Sequence, residues 1–433
     1  MTNGGKTRTI RVENLARVEG EGRLRVRIRD GKVQDLRFAI FEPPRFFEAF
    51  LRGRDCSEAP DMTSRICGIC PVAYIMSATQ AMEHILGIQV PRPIRDLRRL
   101  MYCGEWIQSH TLHVTMLHAP DFLGLPDAFA LARRDRRLVE KALRLKKIGN
   151  DLMALVGGRA IHPVNLRLGG FHKVPAKADV RALAGPLSWA METALDTVRA
   201  VARFDFPDLE RDYAFMALRH PGEYAIHEGR LVSSDGLDIP VEAFLDHVAE
   251  EQVPHSTALS GYRTDGANHH VGPLARYALN HDRLSAAARG AARDAGLGPV
   301  CRNPFQSIVV RAVEIVQACE DALALVERYE EPDPPSVAAV PRAGEGHGCT
   351  EAPRGILYHR YRIAGDGAIL DARIVPPTAQ NQRAIERDLR AVIERNLHLA
   401  DPDLQWRCEQ AIRNYDPCIS CATHFLTMTV ERG

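Results

Sequence analysis

The chain has 433 residues, 45% of them hydrophobic and 26% charged, with a formal net charge of +1. That length can bury a sizeable core, and the charge balance argues against nucleic acid or an anionic membrane as an electrostatic partner. No stretch approaches the roughly 18 apolar residues of a membrane span and Met1–Arg29 lacks a signal-like apolar run, so a cytoplasmic chain without direct membrane insertion is expected.

Arg23 to Arg29 alternates strictly between arginine and apolar residues, and Asp30-Gly31 turns the chain into Val33, Leu36, Phe38 and Ile40. This predicts a β-hairpin with one buried face inside an N-terminal β region, 1–41. Helices are expected over Pro93 to His118, from Leu138 to Leu155 with an end at Gly157-Gly158, and over Ala178 to Arg203 with a break at Gly185-Pro186. Together they make 93–330 a mainly helical core.

The Pro- and Gly-rich stretch Glu331 to Gly348 reads as a loop. A second β region is expected at 351–380, where Ile356–Ile363 turns through Gly365-Asp366-Gly367 to Ile369 and Ile374-Val375, and a last helix spans Gln382 to Leu397. The fold class is α+β, predominantly helical: a central helical bundle with peripheral β-hairpins, read as one large catalytic unit over 1–433.

Ten cysteines in a chain without a secretion signal read as thiols or metal ligands. Six are isolated. Four form two CxxC pairs, Cys67/Cys70 and Cys418/Cys421, each placing two thiolates on one side of a metal. A structural zinc site, an iron-sulfur cluster and a catalytic thiolate-bound metal all fit that donor set, although zinc-ribbon halves usually lie about 15 to 20 residues apart.

The residues around the pairs narrow the choice. Arg65-Ile66-Cys67-Gly68-Ile69-Cys70-Pro71 and Asp416-Pro417-Cys418-Ile419-Ser420-Cys421-Ala422-Thr423-His424 resemble the paired signatures of nickel-iron hydrogenase large subunits. Further matching pieces are Arg17-Val18-Glu19-Gly20, Gly157 to Pro163, Glu351 to Gly355 and Val375-Pro376-Pro377-Thr378. The resemblance implies terminal thiolates on nickel from Cys67 and Cys418, and thiolates from Cys70 and Cys421 bridging nickel to an iron that carries CO and cyanide.

It also implies roles for other residues. Arg354 would hang its guanidinium over the open metal positions, with Asp121 and Asp416 holding it. Cys418 would accept the proton from H2, and Glu19 would begin its exit route. Pro376, Thr378 and the groups of Arg354 would line the cyanides. Glu48, His424 and the backbone carbonyl of Arg373 would hold a magnesium or similar hard cation. His110, His113 and His118 match family positions but read as core or hydrogen-bonded residues. Tyr74 stands where many members carry histidine, and Pro377 where some carry serine.

The resemblance further implies a maturation protease that removes residues 425–433. Variants such as Glu228 to Ile239 look most like the bidirectional NAD(P)-linked and sulfhydrogenase group. No nucleotide-binding fingerprint and no further cysteine-rich groups are present, so FAD, NAD(P) and iron-sulfur clusters are expected on partners: a small iron-sulfur subunit, together with diaphorase-type flavin and iron-sulfur subunits of a heteromultimer. The alternatives are a ferredoxin-linked hydrogenase and a hydrogen sensor with the same centre.

Overall fold

The computed structural model describes residues 7–423. His424 and the segment 425–433, expected as a cation ligand and a removable tail, lie outside the described residues. Among the described residues no helix is long and apolar enough to cross a membrane.

The N-terminal hairpin forms as β2 (Gly22–Arg29) and β3 (Lys32–Ile40), joined by Asp30 and Gly31 at φ +50° and +70°. A further strand, β1 (Thr7–Val12), pairs antiparallel with β2 and completes a three-stranded sheet. A register shift between Arg27 and Ile28 lets β3 place both Val33 and Leu36, three residues apart, toward the core, as a β-bulge does. Leu24, Val26 and Ile28 are buried with Ile10, Val12, Phe38 and Ile40, each worth roughly 1.5–3 kcal/mol.

Helix dominates the middle of the chain. α1 (Pro71–Leu86) starts directly after Cys70. α2 (Arg92–Thr111) runs on through a wider, π-helical stretch, Leu112–His118, so the expected Pro93–His118 helix is present with a changed pitch at its end. α3 (Arg136–Gly157) ends where Gly158 turns left-handed at φ +83°. The next helical stretch breaks earlier than expected. Lys177–Arg181 stops before α4 (Ala184–Val201), and Pro186 sits in the first turn of α4, where a missing N–H costs nothing.

The expected helical core, 93–330, is interrupted. Ala214 to Arg263 folds into short strands, including a hairpin of Arg230–Ser233 and Asp238–Ile239 whose turn carries Gly236 at φ +102°. Helix resumes and closes the region with α5 (Ser307–Glu327).

The second β region is a separate three-stranded antiparallel sheet of β4 (Gly344–Ala352), β5 (Gly355–Ile363) and β6 (Ile369–Val375). Its first strand overturns part of the loop expected over 331–348. The glycines at 344, 346 and 348 are there for contact with α1 rather than for turning. A Cβ on Gly346 would lie 2.2 Å from the Ala81 carbonyl, and one on Gly348 2.2 Å from the Ser77 carbonyl, so the strand lies directly on the helix backbone.

α6 (Pro377–Arg395) begins five residues ahead of expectation, with Pro377 in its first turn, and α7 (Asp401–Arg413) leads to the second cysteine pair. Both pack under the N-terminal sheet. The four paired cysteines lie in the largest hydrophobic cluster, among α1, α2, α5 and β5.

Candidate metal centre

Cys67, Cys70, Cys418 and Cys421 are buried free thiols whose sulfurs lie within 4.8 Å of one another. Cys67 Sγ is 3.4 Å from Cys418 Sγ, and Cys70 Sγ is 3.6 Å from Cys421 Sγ. Neutral thiols gain little from such convergence, whereas thiolates brought this close need a cation between them. Burial penalises each thiolate. For Cys67 the hydrogen bonds from its three sulfur neighbours and the charge of Arg354 outweigh that penalty and pull its pKa well below the ordinary thiol value.

The first pair is set by α1 and α2. Cys67 Sγ accepts from the backbone N–H groups of Ile69 and Cys70, both at 3.3 Å. Cys70 occupies the N-terminal cap of α1 without a side-chain cap bond. The orphaned N–H groups of the first turn are met instead by Glu105 of α2, which accepts from Val72 at 2.6 Å and Ala73 at 3.2 Å. One turn on, Gln108 donates to the Ile69 carbonyl at 2.6 Å.

Around the second pair the partners are charged or hydroxylic. Glu19 accepts from the Ile419 N–H through its backbone carbonyl at 2.9 Å. Its carboxylate accepts from Ser420 N–H at 3.0 Å and from Cys418 Sγ at 3.2 Å. Burial, then repulsion from Cys67, raises the pKa of Glu19. Thr378, also buried, accepts from the Cys418 N–H at 3.0 Å, which leaves its own hydroxyl proton free to donate.

Arg354 is 2% exposed. Its Nε donates to the Asp416 carbonyl at 2.6 Å and its Nη2 to Asp416 Oδ1 at 3.1 Å. Burial opposes its charge, but Asp416 and then the thiolates of Cys418, Cys70 and Cys67 outweigh burial, so the guanidinium stays charged. Its Nη1 is buried with no hydrogen-bond partner among the described residues. A buried, unspent donor beside four thiolates fits a centre that carries acceptor ligands of its own. Asp416 reaches this position with φ +52°, a sparsely populated backbone state for a residue with a side chain.

Asp121 does not hold Arg354. Both its oxygens are taken by Arg413, at 2.7 and 2.8 Å, and Oδ1 also accepts from Arg17 at 2.5 Å. It lies just beyond the π-helical stretch, where these two guanidiniums converge on it, and so ties the end of α7 to the Arg17-Val18-Glu19 segment.

Glu48 is buried, and its Oε1 accepts from the Ile374 N–H at 2.7 Å, which brings the carboxylate to the Arg373–Ile374 peptide. The Arg373 side chain turns to Glu250 at 2.8 Å. Pro376 sits at the N-cap of α6. His110 Nε2 lies 3.0 Å from Glu314, and His113 Nε2 2.7 Å from the Arg413 carbonyl. Tyr74 is buried near the cluster, where burial and then the charges of Cys421, Cys70 and Cys418 hold its pKa well above the phenol range.

Four contributors escaped the sequence reading: Glu105, Gln108, Arg45 and Arg311. Arg45 donates to the carbonyls of Ile66, at 2.7 Å, and Ser420, bracing both cysteine turns. Arg311 donates to Tyr415 O at 3.1 Å and Pro353 O at 3.4 Å, the residues just before Asp416 and Arg354. Burial lowers its pKa to about 10. A signal existed for Glu105 alone, as a lone acid within the apolar run Leu100–Ile107.

Residues 45–140 and 260–424 match the family described as nickel-dependent hydrogenase. The chain is 33% identical to the alpha chain of sulfhydrogenase 1 from Pyrococcus furiosus over 426 residues, 97% of this chain and 98% of that one. It is 30% identical to one chain of the F420-non-reducing hydrogenase vhc from Methanococcus voltae, covering 96% of this chain and 94% of the relative. The fold superposes on a crystal structure of an NAD+-reducing [NiFe]-hydrogenase in the H2-reduced state with a TM-score of 0.89 and 28% identity, over 96% of this chain and 99% of that one. With both cysteine pairs buried and converged, this chain belongs to the nickel-dependent hydrogenase family, as a large, catalytic subunit.

Proposed function

We propose that this subunit cleaves H2 heterolytically and reversibly, and that the electrons leave through a small iron-sulfur subunit toward NAD(P)+. The observation that carries the reading is the unspent Nη1 of Arg354 beside four converged cysteine sulfurs. When bound, a nickel-iron centre with CO and cyanide on iron supplies the electron-accepting position at which H2 is polarised. Cys67 and Cys418 would hold nickel, and Cys70 and Cys421 would bridge it to iron.

The proton side is carried by the chain itself. Cys418 Sγ is the first acceptor and Glu19 the second, 3.2 Å away, within the reach that general acid–base transfer needs. Arg354 keeps a fixed positive charge at the reacting position, held by Asp416. Thr378, Pro376 and the groups of Arg354 would line the cyanides. Glu48 and the Arg373 carbonyl, with His424, would take a magnesium-like ion, a choice that a buried carboxylate supports.

The NAD(P)+ linkage draws its support from the likeness to the NAD+-reducing enzyme. An acceptor other than a nicotinamide is the second reading, supported by the likeness to chains of F420-non-reducing hydrogenases. Flavin and nicotinamide sites belong, on the first reading, to diaphorase-type partners. The test is H2-driven reduction of NAD+ and NADP+ by the complex that co-purifies with this chain, with a viologen dye as control. Nicotinamide reduction upholds the first reading. Viologen reduction alone transfers support to the second, and a nickel-replete complex that reduces none of them points to a hydrogen sensor.

A further inference from the structure

The solvent face of the N-terminal sheet is an array of guanidiniums. Arg23, Arg25, Arg27 and Arg29 occupy every second position of β2, all exposed, while Leu24, Val26 and Ile28 face the core. The neighbouring strands add further cations to the array, and the one carboxylate they set opposite it is Asp35, across from Arg27. Arg25 stands directly opposite Arg11 of β1 and Arg37 of β3, so three arginines form one row across the sheet. Like charges placed directly opposite destabilise a strand pair.

Little within the chain relieves that repulsion. Arg37 meets Asp35 at 3.1 Å and Arg29 meets Asp30 at 3.7 Å. Arg23 lies over the Phe41 ring. Arg11, Arg25 and Arg27 form no ion pair among the described residues. Composition does not impose the patch, because the whole chain carries a formal charge of only +1 and everything outside the face therefore sums to a net negative charge.

Shape adds a second observation. Beside β3 the face falls into a cleft of about 500 Å³ whose walls include Arg23, Arg25, Arg37 and His255, and no carboxylate lines it. Phe41, Val253 and Pro254 add apolar surface to its lining. A basic array with an apolar recess is the make-up of a protein interface, where arginine is enriched and its stem buries apolar area while its head pairs.

We infer that the β1–β3 face docks an acidic surface of a different polypeptide in the assembled enzyme, with partner carboxylates on the Arg11–Arg25–Arg37 row and an apolar side chain in the cleft. The array is about 20 Å long, the length of a six-residue strand step. That exceeds a single phosphorylated metabolite, while the net negative remainder of the chain would repel a nucleic acid extending past the patch. The inference rests on the proposed multi-subunit assembly, but it does not depend on the electron acceptor.

The test uses the complex purified through a tag on this chain. Arg25→Glu with Arg27→Glu should weaken retention of one co-purifying subunit by at least about tenfold, and salt should release the same subunit from the wild type. Arg137→Glu, an equal charge change per residue on exposed α3, should not. Nickel content, unchanged in all three, reads the hydrogenase assignment separately. Because charge reversal could disturb folding, Arg25→Lys with Arg27→Lys keeps the charge and permits zero-length carbodiimide coupling of an amine to a carboxylate. A coupling to Asp or Glu of another subunit is the expected result. Full retention after charge reversal, no coupling, or coupling only to a second copy of this chain or to co-purified nucleic acid would each overturn the inference.

Discussion

The two cysteine turns have the same spacing and contribute two sulfurs each, yet they are held by different chemistry. Cys67–Cys70 is clamped through its backbone, by Glu105 on the first N–H groups of α1 and Gln108 on the Ile69 carbonyl. Cys418–Cys421 rests on Glu19 and Thr378, with Arg354 and a left-handed Asp416 at its approach. One turn is an anchor whose neighbours hold its shape. The other has the Glu19 carboxylate at hydrogen-bond distance from its sulfur, and the proposed proton route runs on that side.

For metal retention the two turns should be equivalent. Cys418→Ser and Cys67→Ser are both expected to reduce nickel, measured by elemental mass spectrometry, to background; a fully loaded Cys418→Ser protein would end the assignment. For proton handling they should part company. Glu19→Gln keeps size and hydrogen bonding but cannot take up a proton as a base, so H2/D2O exchange should fall roughly 10²- to 10⁴-fold with nickel retained. Exchange at the wild-type rate would remove Glu19 from the route.

The next contrast is in stability. Asp121→Asn leaves the buried Arg413 and the half-buried Arg17 short of a countercharge and should cost about 3–5 kcal/mol in denaturant unfolding. A loss under about 1 kcal/mol, within the range of an exposed pair, would mean that Glu409, 3.4 Å from Arg413, makes up the lost charge. Smallest is Glu105→Gln, which can accept only one of the two helix N–H groups and should cost about 1–3 kcal/mol. Its infrared CO and cyanide bands should shift slightly with turnover largely kept, whereas turnover as low as that of Glu19→Gln would abolish the distinction between anchor and working side.

The sequence made the cysteines legible because metal ligation restricts residue type and spacing at once. Glu19, Asp416 and Thr378 came with the motifs around them. What stayed hidden were braces outside those motifs: Arg45, Glu105, Gln108 and Arg311 act on carbonyls and N–H groups whose positions exist only after folding. Asp121 illustrates the complementary error. A carboxylate near the site in the motif pattern was matched to Arg354, but the turn after the π-helical stretch presents it to Arg413 and Arg17 instead. The strand at 344–352 was missed because glycine is read first as a turn residue, although its spacing of two was the strand signal.

That glycine spacing has a mechanical consequence. Cβ atoms added at Gly344, Gly346 and Gly348 would strike Ile85, Ala81 and Ser77 in turn. Two residues of strand therefore advance alongside four of helix, and the two lengths nearly agree, at about 6.6 and 6.0 Å. Strand and helix mesh like a rack and its gear, in which the smallest slip that restores the fit is a whole helical turn. Cys70 sits at the end of that gear, so the sheet packed on α1 indexes where one sulfur of the centre stands.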